Sequence, residues 1–164
     1  MKAFRNLSLL CLLFLLTTIA MAQESKFHAI FLYKFIENIS WPESKKALVI
    51  GFIGETEVKS ELEKMLKARG NSTFTIRTIS PIDADYCDVI FLTQSQSGAF
   101  SSLLEKTTGK SILIVTESSD LASKGAGISF LKDGNKLSFA INKSSLEARS
   151  LKVSFTLLTL GKAI

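Results

Sequence analysis

Residues 47–54 read ALVIGFIG, a continuous apolar run typical of a β-strand that is buried on both faces. Two further segments have the same character, CDVIFLT at residues 87–93 and SILIVT at residues 111–116. Helical patterns follow the first two of these strands, over residues 57–69 and 97–106. Because fully apolar strands alternate with helices, we predict a parallel sheet joined by right-handed crossovers.

The chain beyond this repeat has a different pattern. Two apolar segments, residues 128–131 and 136–141, flank an Asp-Gly pair at 133–134, which is a strong signal for a β-hairpin. An apolar, helical stretch is expected over residues 153–160, and a weaker alternating strand over residues 73–79 is expected nearer a sheet edge. The predicted fold class is α/β: a single-domain sandwich with a mostly parallel central sheet, a C-terminal antiparallel hairpin and helices on both faces.

The start of the chain has the layout of a secretory signal peptide. A basic N-terminus precedes an apolar run at residues 7–20, and the small residues of Ala20-Met21-Ala22 predict cleavage before Gln23. The run is shorter than the roughly 20 apolar residues that a membrane span needs. We therefore predict a signal peptide over residues 1–22, export, and a single domain over residues 23–164. An uncleaved N-terminal anchor is the alternative.

Removal of this leader changes both the charge and the cysteine count. The full chain of 164 residues carries 20 Lys and Arg against 15 Asp and Glu, a net charge of +5. Two basic residues and no acidic one leave with the leader, so the mature chain of 142 residues has a net charge of +3. A charge this small does not favour a nucleic-acid partner. Cys11 leaves as well, so only Cys87 remains and no intramolecular disulfide can form.

The mature chain offers few groups for catalysis or metal binding. A zinc site needs three or four converging nitrogen and sulfur ligands, whereas only His28 and Cys87 are present. No G-x-S-x-G or G-x-G-x-x-G spacing occurs, and Gly54 is interpreted as part of a tight strand-to-helix turn. We therefore predict no enzyme activity, no metal and no cofactor. His28 is expected at the surface or at an interface.

Cys87 opens a predicted buried strand, where a thiol is usually inert packing. A reactive or intermolecularly paired thiol is the alternative that a lone cysteine raises in an exported protein.

The first helix, predicted over residues 24–39, is apolar on almost all sides. A helix of this kind either lies inside its domain or presents one face to another molecule. Aromatic residues are enriched where proteins contact each other. The predicted interaction residues are the aromatic ones of this region, Phe31, Tyr33, Phe35 and Trp41. Core packing is the alternative for each of them.

Several segments, in order along the chain, resemble the YfiR family of exported bacterial proteins. The most specific are YKFIENISWP at residues 33–42 and GISFLKDGNKLSFAIN at residues 127–142. The likeness runs from about residue 27 to residue 160, nearly the whole mature chain. It implies a periplasmic protein without enzyme activity that binds the extracytoplasmic domain of an inner-membrane diguanylate cyclase. Repression of that enzyme would limit cyclic-di-GMP signalling and biofilm formation.

The resemblance also implies a homodimer and an outer-membrane lipoprotein that sequesters the protein. Family members often carry paired cysteines that set redox sensitivity, whereas this chain keeps only Cys87 at the matching strand position. Two alternatives stay open. The membrane partner is a sensor kinase rather than a cyclase, or the protein is a periplasmic module that binds a small ligand, a peptide or a cell-wall fragment and feeds a sensor kinase.

Overall fold

The computed structural model describes residues 23–43, 45, 47–71, 73–134 and 136–164. The predicted signal peptide and Cys11 lie outside these residues, so cleavage of the leader stays a prediction. Within the described ranges, no helix is long and apolar enough to cross a membrane.

Strands and helices alternate along the described chain. The strands are β1 (Ile39–Ser40), β2 (Leu48–Ile53), β3 (Phe74–Thr78), β4 (Val89–Leu92), β5 (Leu113–Thr116), β6 (Ile128–Asp133), β7 (Lys136–Ile141), β8 (Lys152–Val153) and β9 (Lys162–Ala163). The helices are α1 (residues 23–37), α2 (Glu57–Ala68), α3 (Phe100–Lys106), α4 (Lys143–Ala148) and α5 (Phe155–Leu160). Short 3-10 helices lie at Pro81–Tyr86, Gln94–Ala99 and Ser119–Leu121.

The main sheet has the strand order β3-β2-β4-β5-β6-β7-β9. Neighbouring strands from β3 to β6 are parallel. β6 pairs antiparallel with β7 in a register that places Asp133 opposite Lys136. Both the parallel core and the C-terminal hairpin of the predicted α/β fold class are therefore confirmed, and β3 lies at an edge of the sheet as expected.

The sheet separates the core into two clusters of buried side chains. One cluster packs α1, α2 and α5 against one face of the sheet and includes Phe35, Leu62 and Leu157. The other packs α3 against the opposite face and includes Leu103 and Ile90. Helices thus cover both faces, as the continuous apolar character of the central strands requires.

A small second ladder joins the segment after α1 to the last part of the chain. β1 pairs antiparallel with β8, with Ile39 opposite Val153. The Ser154 N–H donates to the Asn38 carbonyl oxygen at 2.9 Å, and the Ser154 hydroxyl donates to Asn38 Oδ1 at 2.8 Å. This ladder gives the chain an extended path directly before Trp41.

Candidate functional site

The four predicted interaction residues differ in burial. Phe35 is fully buried and Tyr33 is nearly so, and the Phe35 ring centroid lies 4.8 Å from that of Phe139. Phe31 is half-buried against the same cluster, with its ring centroid 5.2 Å from that of Phe139. This burial favours the core-packing alternative for Tyr33 and Phe35. Trp41 is half-buried and lines an open groove.

This groove, which we call the Trp41 groove, has a volume of about 350 Å³ and lies near the amino-terminal ends of β4 and β5. Three segments line it: Trp41, Pro42, Glu43 and Lys45; Asp85, Tyr86, Cys87 and Asp88; and Lys110, Ser111 and Ile112. The fold therefore brings together Trp41 and Cys87, which the sequence marks for different reasons. Tyr86, Asp85 and the lysines of this site were not predicted.

A buried carboxylate holds the segments around the Trp41 groove in place. Asp88 Oδ2 accepts a hydrogen bond from the Val49 N–H at 2.8 Å, and Asp88 Oδ1 pairs with Lys45 Nζ. Asp88 directly precedes β4, and Val49 lies in β2. The ion pair between Lys45 and Asp88 therefore links the segment after Trp41 to the amino-terminal end of β4.

A second carboxylate in the groove, that of Asp85, forms ion pairs with two lysines. Asp85 Oδ2 lies 3.1 Å from Lys110 Nζ and 3.6 Å from Lys106 Nζ. The hydrogen bond from Lys110 is the largest cause that holds the pKa of the Asp85 carboxyl below its ordinary value. Asp85 Oδ1 is buried without a hydrogen-bond partner among the described residues, and the same holds for Trp41 Nε1.

The Cys87 thiol is buried and tightly packed. A Cβ atom placed on Gly51 would lie 2.6 Å from Cys87 Sγ. Burial, and next the negative charge of Asp88, raise the pKa of Cys87 to about 11. Because the thiolate is the reactive form of cysteine, these observations favour the interpretation of an inert thiol.

Iodoacetamide is expected to label Cys87 at least about 100-fold more slowly in the folded protein than in the urea-unfolded chain at pH 8. With a pKa of about 11, only about 0.1% of the thiol is ionised at that pH. Mass spectrometry of the labelled protein gives the two rates, and Cys87→Ala is the unlabelled control. Equal rates in the folded and unfolded protein would show that the thiol is accessible and reactive.

The same group makes stability depend on pH in a defined direction. The pKa of Cys87 is about 11 in the folded protein against an ordinary value of 9.0. Between these values the folded protein keeps a proton that the unfolded chain releases. Deprotonation of Cys87 in the unfolded chain stabilises that state, so the free energy of unfolding falls as the pH rises from 9 to 11.

His28 does not lie at the surface, so that expectation was wrong. The residue is buried between α1 and the sheet, and its ring stacks on Phe130 with centroids 4.0 Å apart. His28 Nδ1 lies 3.5 Å from Glu117 Oε1, and Glu117 Oε2 accepts a hydrogen bond from the Gln94 N–H at 2.9 Å. A helix that is apolar on almost all sides does not reveal which of its faces meets solvent.

Side chains fill the position where an open α/β sheet usually binds a ligand. That position is the carboxyl end of the strands where the strand order reverses, here between β2 and β4. Gly54 follows β2 with a φ of 96°, and a Cβ atom there would overlap Thr93 Oγ1 and lie 2.8 Å from Gln96 Cγ. These contacts support the interpretation of Gly54 as a tight turn. Among the described residues, no three His, Cys, Asp or Glu side chains converge as metal ligands.

A set of exposed apolar side chains lies near the end of the described chain, and we call it the C-terminal apolar set. Its members are Phe155 and Leu160 of α5 and Ile164, and Phe155 is 80% exposed. The sequence of α5, FTLLTL, is apolar at four of its six positions, whereas Leu157 is its one fully buried residue. A helix on a protein surface buries only one of its faces, and α5 has more apolar residues than that face can hold. This feature of the sequence could have located the set.

The fold and these sites define a small three-layer α/β domain with an open surface groove. The sequence profile of the YfiR/HmsC-like family, DUF4154, matches residues 25–162, and the chain therefore belongs to this family. Members of this family are periplasmic regulators of diguanylate cyclase signalling. No curated protein matches the chain.

Two solved structures share the fold. A conserved domain protein from Vibrio cholerae is 13% identical with a TM-score of 0.59, and the match covers 85% of this chain and 59% of that one. The ABC domain from Streptococcus pneumonia in complex with L-Trp is 14% identical with a TM-score of 0.54, and the match covers 73% and 57%. The chain thus spans less than two thirds of either structure. At these identities the likeness shows the fold alone.

Proposed function

We propose that the protein binds the extracytoplasmic domain of an inner-membrane diguanylate cyclase and holds that enzyme in an inactive conformation. The exposure of Phe155 carries the proposal, because aromatic residues, Phe included, are enriched at protein interfaces and a large apolar side chain gains free energy when it is removed from water. Family membership supports the class of partner. The predicted leader supports export to the compartment in which that domain lies.

The physical step is the burial of apolar surface on one conformation of the partner. Full burial of a side chain such as Phe155 contributes about 1.5–3 kcal/mol to binding. A bound protein shifts a two-state equilibrium only to the extent that it binds one state more tightly. Repression therefore requires that the cyclase present its complementary apolar surface mainly in the inactive conformation.

The family resemblance implies two other partners, for which the structure offers no specific contact surface among the described residues. The outer-membrane lipoprotein and the homodimer stay predictions. A dimer linked through Cys87 is not favoured, because that thiol is buried. The Trp41 groove is open to solvent rather than enclosed, which does not favour a module built around a closed ligand pocket.

Deletion of the gene is expected to raise cellular cyclic-di-GMP several-fold, and the wild-type gene is expected to restore the original level. The Phe155→Asp variant is expected to fail in this restoration, because its carboxylate must be desolvated when the C-terminal apolar set docks. Cyclic-di-GMP is measured by mass spectrometry of cell extracts.

The matched control is Thr156→Asp, which adds the same charge at the next residue of α5, also exposed. It is expected to restore the wild-type level. Circular dichroism and the periplasmic abundance of both variants show that they fold and are exported. Full restoration by Phe155→Asp would remove Phe155 from the contact, and an unchanged cyclic-di-GMP level after deletion would contradict the cyclase as partner.

A further inference from the structure

The main sheet ends at β3, and no strand among the described residues pairs with the outer side of this strand. β3 pairs in parallel with β2 over all five of its residues, without a bulge. Thr75, Arg77 and Thr78 are exposed. The opposite edge of the sheet differs, because its last strand, β9, has only two residues. β3 is therefore a regular edge strand that is accessible from solvent.

Two hydrogen bonds at the ends of β3 define its ladder with β2. The Leu48 N–H donates to the Thr73 carbonyl oxygen at 3.0 Å, and the Ile79 N–H donates to the Phe52 carbonyl oxygen at 2.9 Å. In a parallel ladder, alternate residues of a strand direct their backbone groups to the same neighbour. The two bonds therefore determine which residues of β3 face β2 and which face outward.

The outward backbone groups of β3 form a regular row. Thr75 and Arg77 direct their N–H and C=O groups to β2, whereas Phe74, Ile76 and Thr78 direct theirs away from the sheet. The edge thus presents three N–H and three C=O groups at the spacing of an extended chain. Another β-strand complements such a row group by group. A lipid or a small molecule has no matching series of donors and acceptors.

The features that commonly block an edge strand are absent from β3. Such features are proline, a bulge, a very short strand or several charged side chains. The sequence of β3, FTIRT, contains no proline, consists mainly of residues that favour strands and carries a single charge, that of Arg77. The edge therefore keeps the ability to pair, and Arg77 restricts the charge of the strand that pairs with it.

Arg77 has no carboxylate within ion-pair distance among the described residues. Asp83 lines the same surface depression, but its carboxylate accepts a hydrogen bond from the Ser80 hydroxyl at 2.7 Å. A second copy that pairs antiparallel about Ile76 would place Arg77 opposite Thr75 and leave both guanidinium groups without a partner. An acidic residue opposite Arg77 forms a cross-strand ion pair. Charge therefore favours an acidic partner strand over a second copy.

The other face of β3 is apolar. Phe74 and Ile76 are half-buried and pack against the core cluster that contains Phe35. Side chains of an added strand alternate between the two faces of the sheet, so those beside Phe74 and Ile76 extend an apolar surface. The strand that fits this edge consequently alternates apolar and acidic residues.

We infer that the β3 edge binds an extended segment of a partner protein in which apolar and acidic residues alternate. The segment's backbone pairs with the outward N–H and C=O groups of Phe74, Ile76 and Thr78, and one of its acidic side chains pairs with Arg77. β3 and β9, the strand that follows α5, lie at opposite ends of the strand order. The inference is therefore independent of the proposed cyclase contact at Phe155.

Amide hydrogen exchange, measured by NMR, tests the pairing residue by residue. The probe is the peptide VEVEV with blocked ends, used at about ten times its Kd. The amides of Phe74, Ile76 and Thr78 are expected to exchange about tenfold more slowly, because only the unbound molecules exchange. Those of Thr75 and Arg77 already bond to β2, and we expect them to change less than about twofold. Equal slowing of all five amides, or no slowing at about 10 mM peptide, would overturn the inference.

Arg77→Glu tests the charge preference of the edge. The wild type is expected to bind VEVEV at least about fivefold more tightly than VKVKV, and Arg77→Glu is expected to reverse this preference. The matched control is Lys143→Glu, which makes the same change of charge at an exposed residue of α4. It is expected to keep the wild-type preference. A reversal in both variants would reduce the effect to net charge and contradict the pairing with Arg77.

Two further outcomes would also decide against the inference. If the outward amides of β3 exchange slowly in the concentrated free protein and faster on dilution, a second copy occupies the edge. If Phe155→Asp abolishes the slowing by VEVEV, the peptide binds at the C-terminal apolar set instead.

Discussion

Replacement of Phe35 by alanine is expected to lower the free energy of unfolding by about 3–5 kcal/mol, as for other large buried aromatic residues. Phe35 has no exposed surface. Its ring centroid lies 4.8 Å from that of Phe139 and 5.5 Å from that of Phe130, so truncation removes contacts with both β6 and β7. Urea unfolding followed by circular dichroism measures the loss. If the alanine variant does not fold, Phe35→Leu provides a smaller, measurable change.

Ile30→Ala is the matched control on the same helix, because Ile30 is 41% exposed. We expect a loss below about 1 kcal/mol, as is usual for surface positions. A Phe35→Ala protein with wild-type stability would contradict core packing and would return Phe35 to the set of interaction residues.

Gly54→Ala is expected to lower the free energy of unfolding by about 2–4 kcal/mol, through backbone strain and overpacking together. The φ of 96° at Gly54 is unfavourable for any residue with a Cβ atom. The new methyl group would also overlap Thr93 Oγ1. Thr93 is buried and donates a hydrogen bond from Oγ1 to the Ile53 carbonyl oxygen at 3.1 Å, so it is not free to move away.

Gly98→Ala separates these effects from the general cost of replacing glycine. A Cβ atom on Gly98 would meet no atom within 4 Å, and its φ lies outside the left-handed range. We expect a change within about 1 kcal/mol in either direction. Urea unfolding measures both variants. If Gly54→Ala and Gly98→Ala lower the free energy of unfolding by similar amounts, the crevice between β2 and β4 has room for the added methyl group.

The parallel sheet and the hairpin were predictable because local sequence records them. A run such as ALVIGFIG is short and apolar at successive positions, which is the pattern of a strand covered on both faces. Asp133-Gly134 marks the hairpin because glycine adopts the positive φ, here 58°, that a tight turn requires. In both cases the physical cause lies within a few residues of its effect.

Other elements depend on partners that are distant in sequence. β1 and β8 have two residues each and form only as a pair, so neither has a recognisable period of its own. The helix predicted over residues 97–106 begins at Phe100, because residues 94–99 form a 3-10 helix. This 3-10 helix is held by residues that are distant in sequence. The Gln94 N–H donates a hydrogen bond to Glu117 Oε2, and the Ser118 hydroxyl donates one to Gln94 Oε1.

The candidate site shows the same division at the level of single residues. Trp41 was singled out as an aromatic residue of the type enriched at protein contacts, and Cys87 as the lone thiol of the mature chain. Tyr86, Asp85 and Lys110 carry no local pattern that separates them from ordinary surface residues. They become a site only where the amino-terminal ends of β4 and β5 place them beside Trp41.

The amino-acid sequence alone determined the α/β class, the parallel core, the hairpin and the family resemblance, because apolar periodicity and turn residues encode which positions leave water. It left the role of the first helix open, since an apolar face records burial but does not record what covers it. The tertiary structure decided that Phe35 packs within the domain and that Phe155 remains exposed. The physical reason is that burial against a particular neighbour is a property of two segments, and their approach is settled only when the whole sheet assembles.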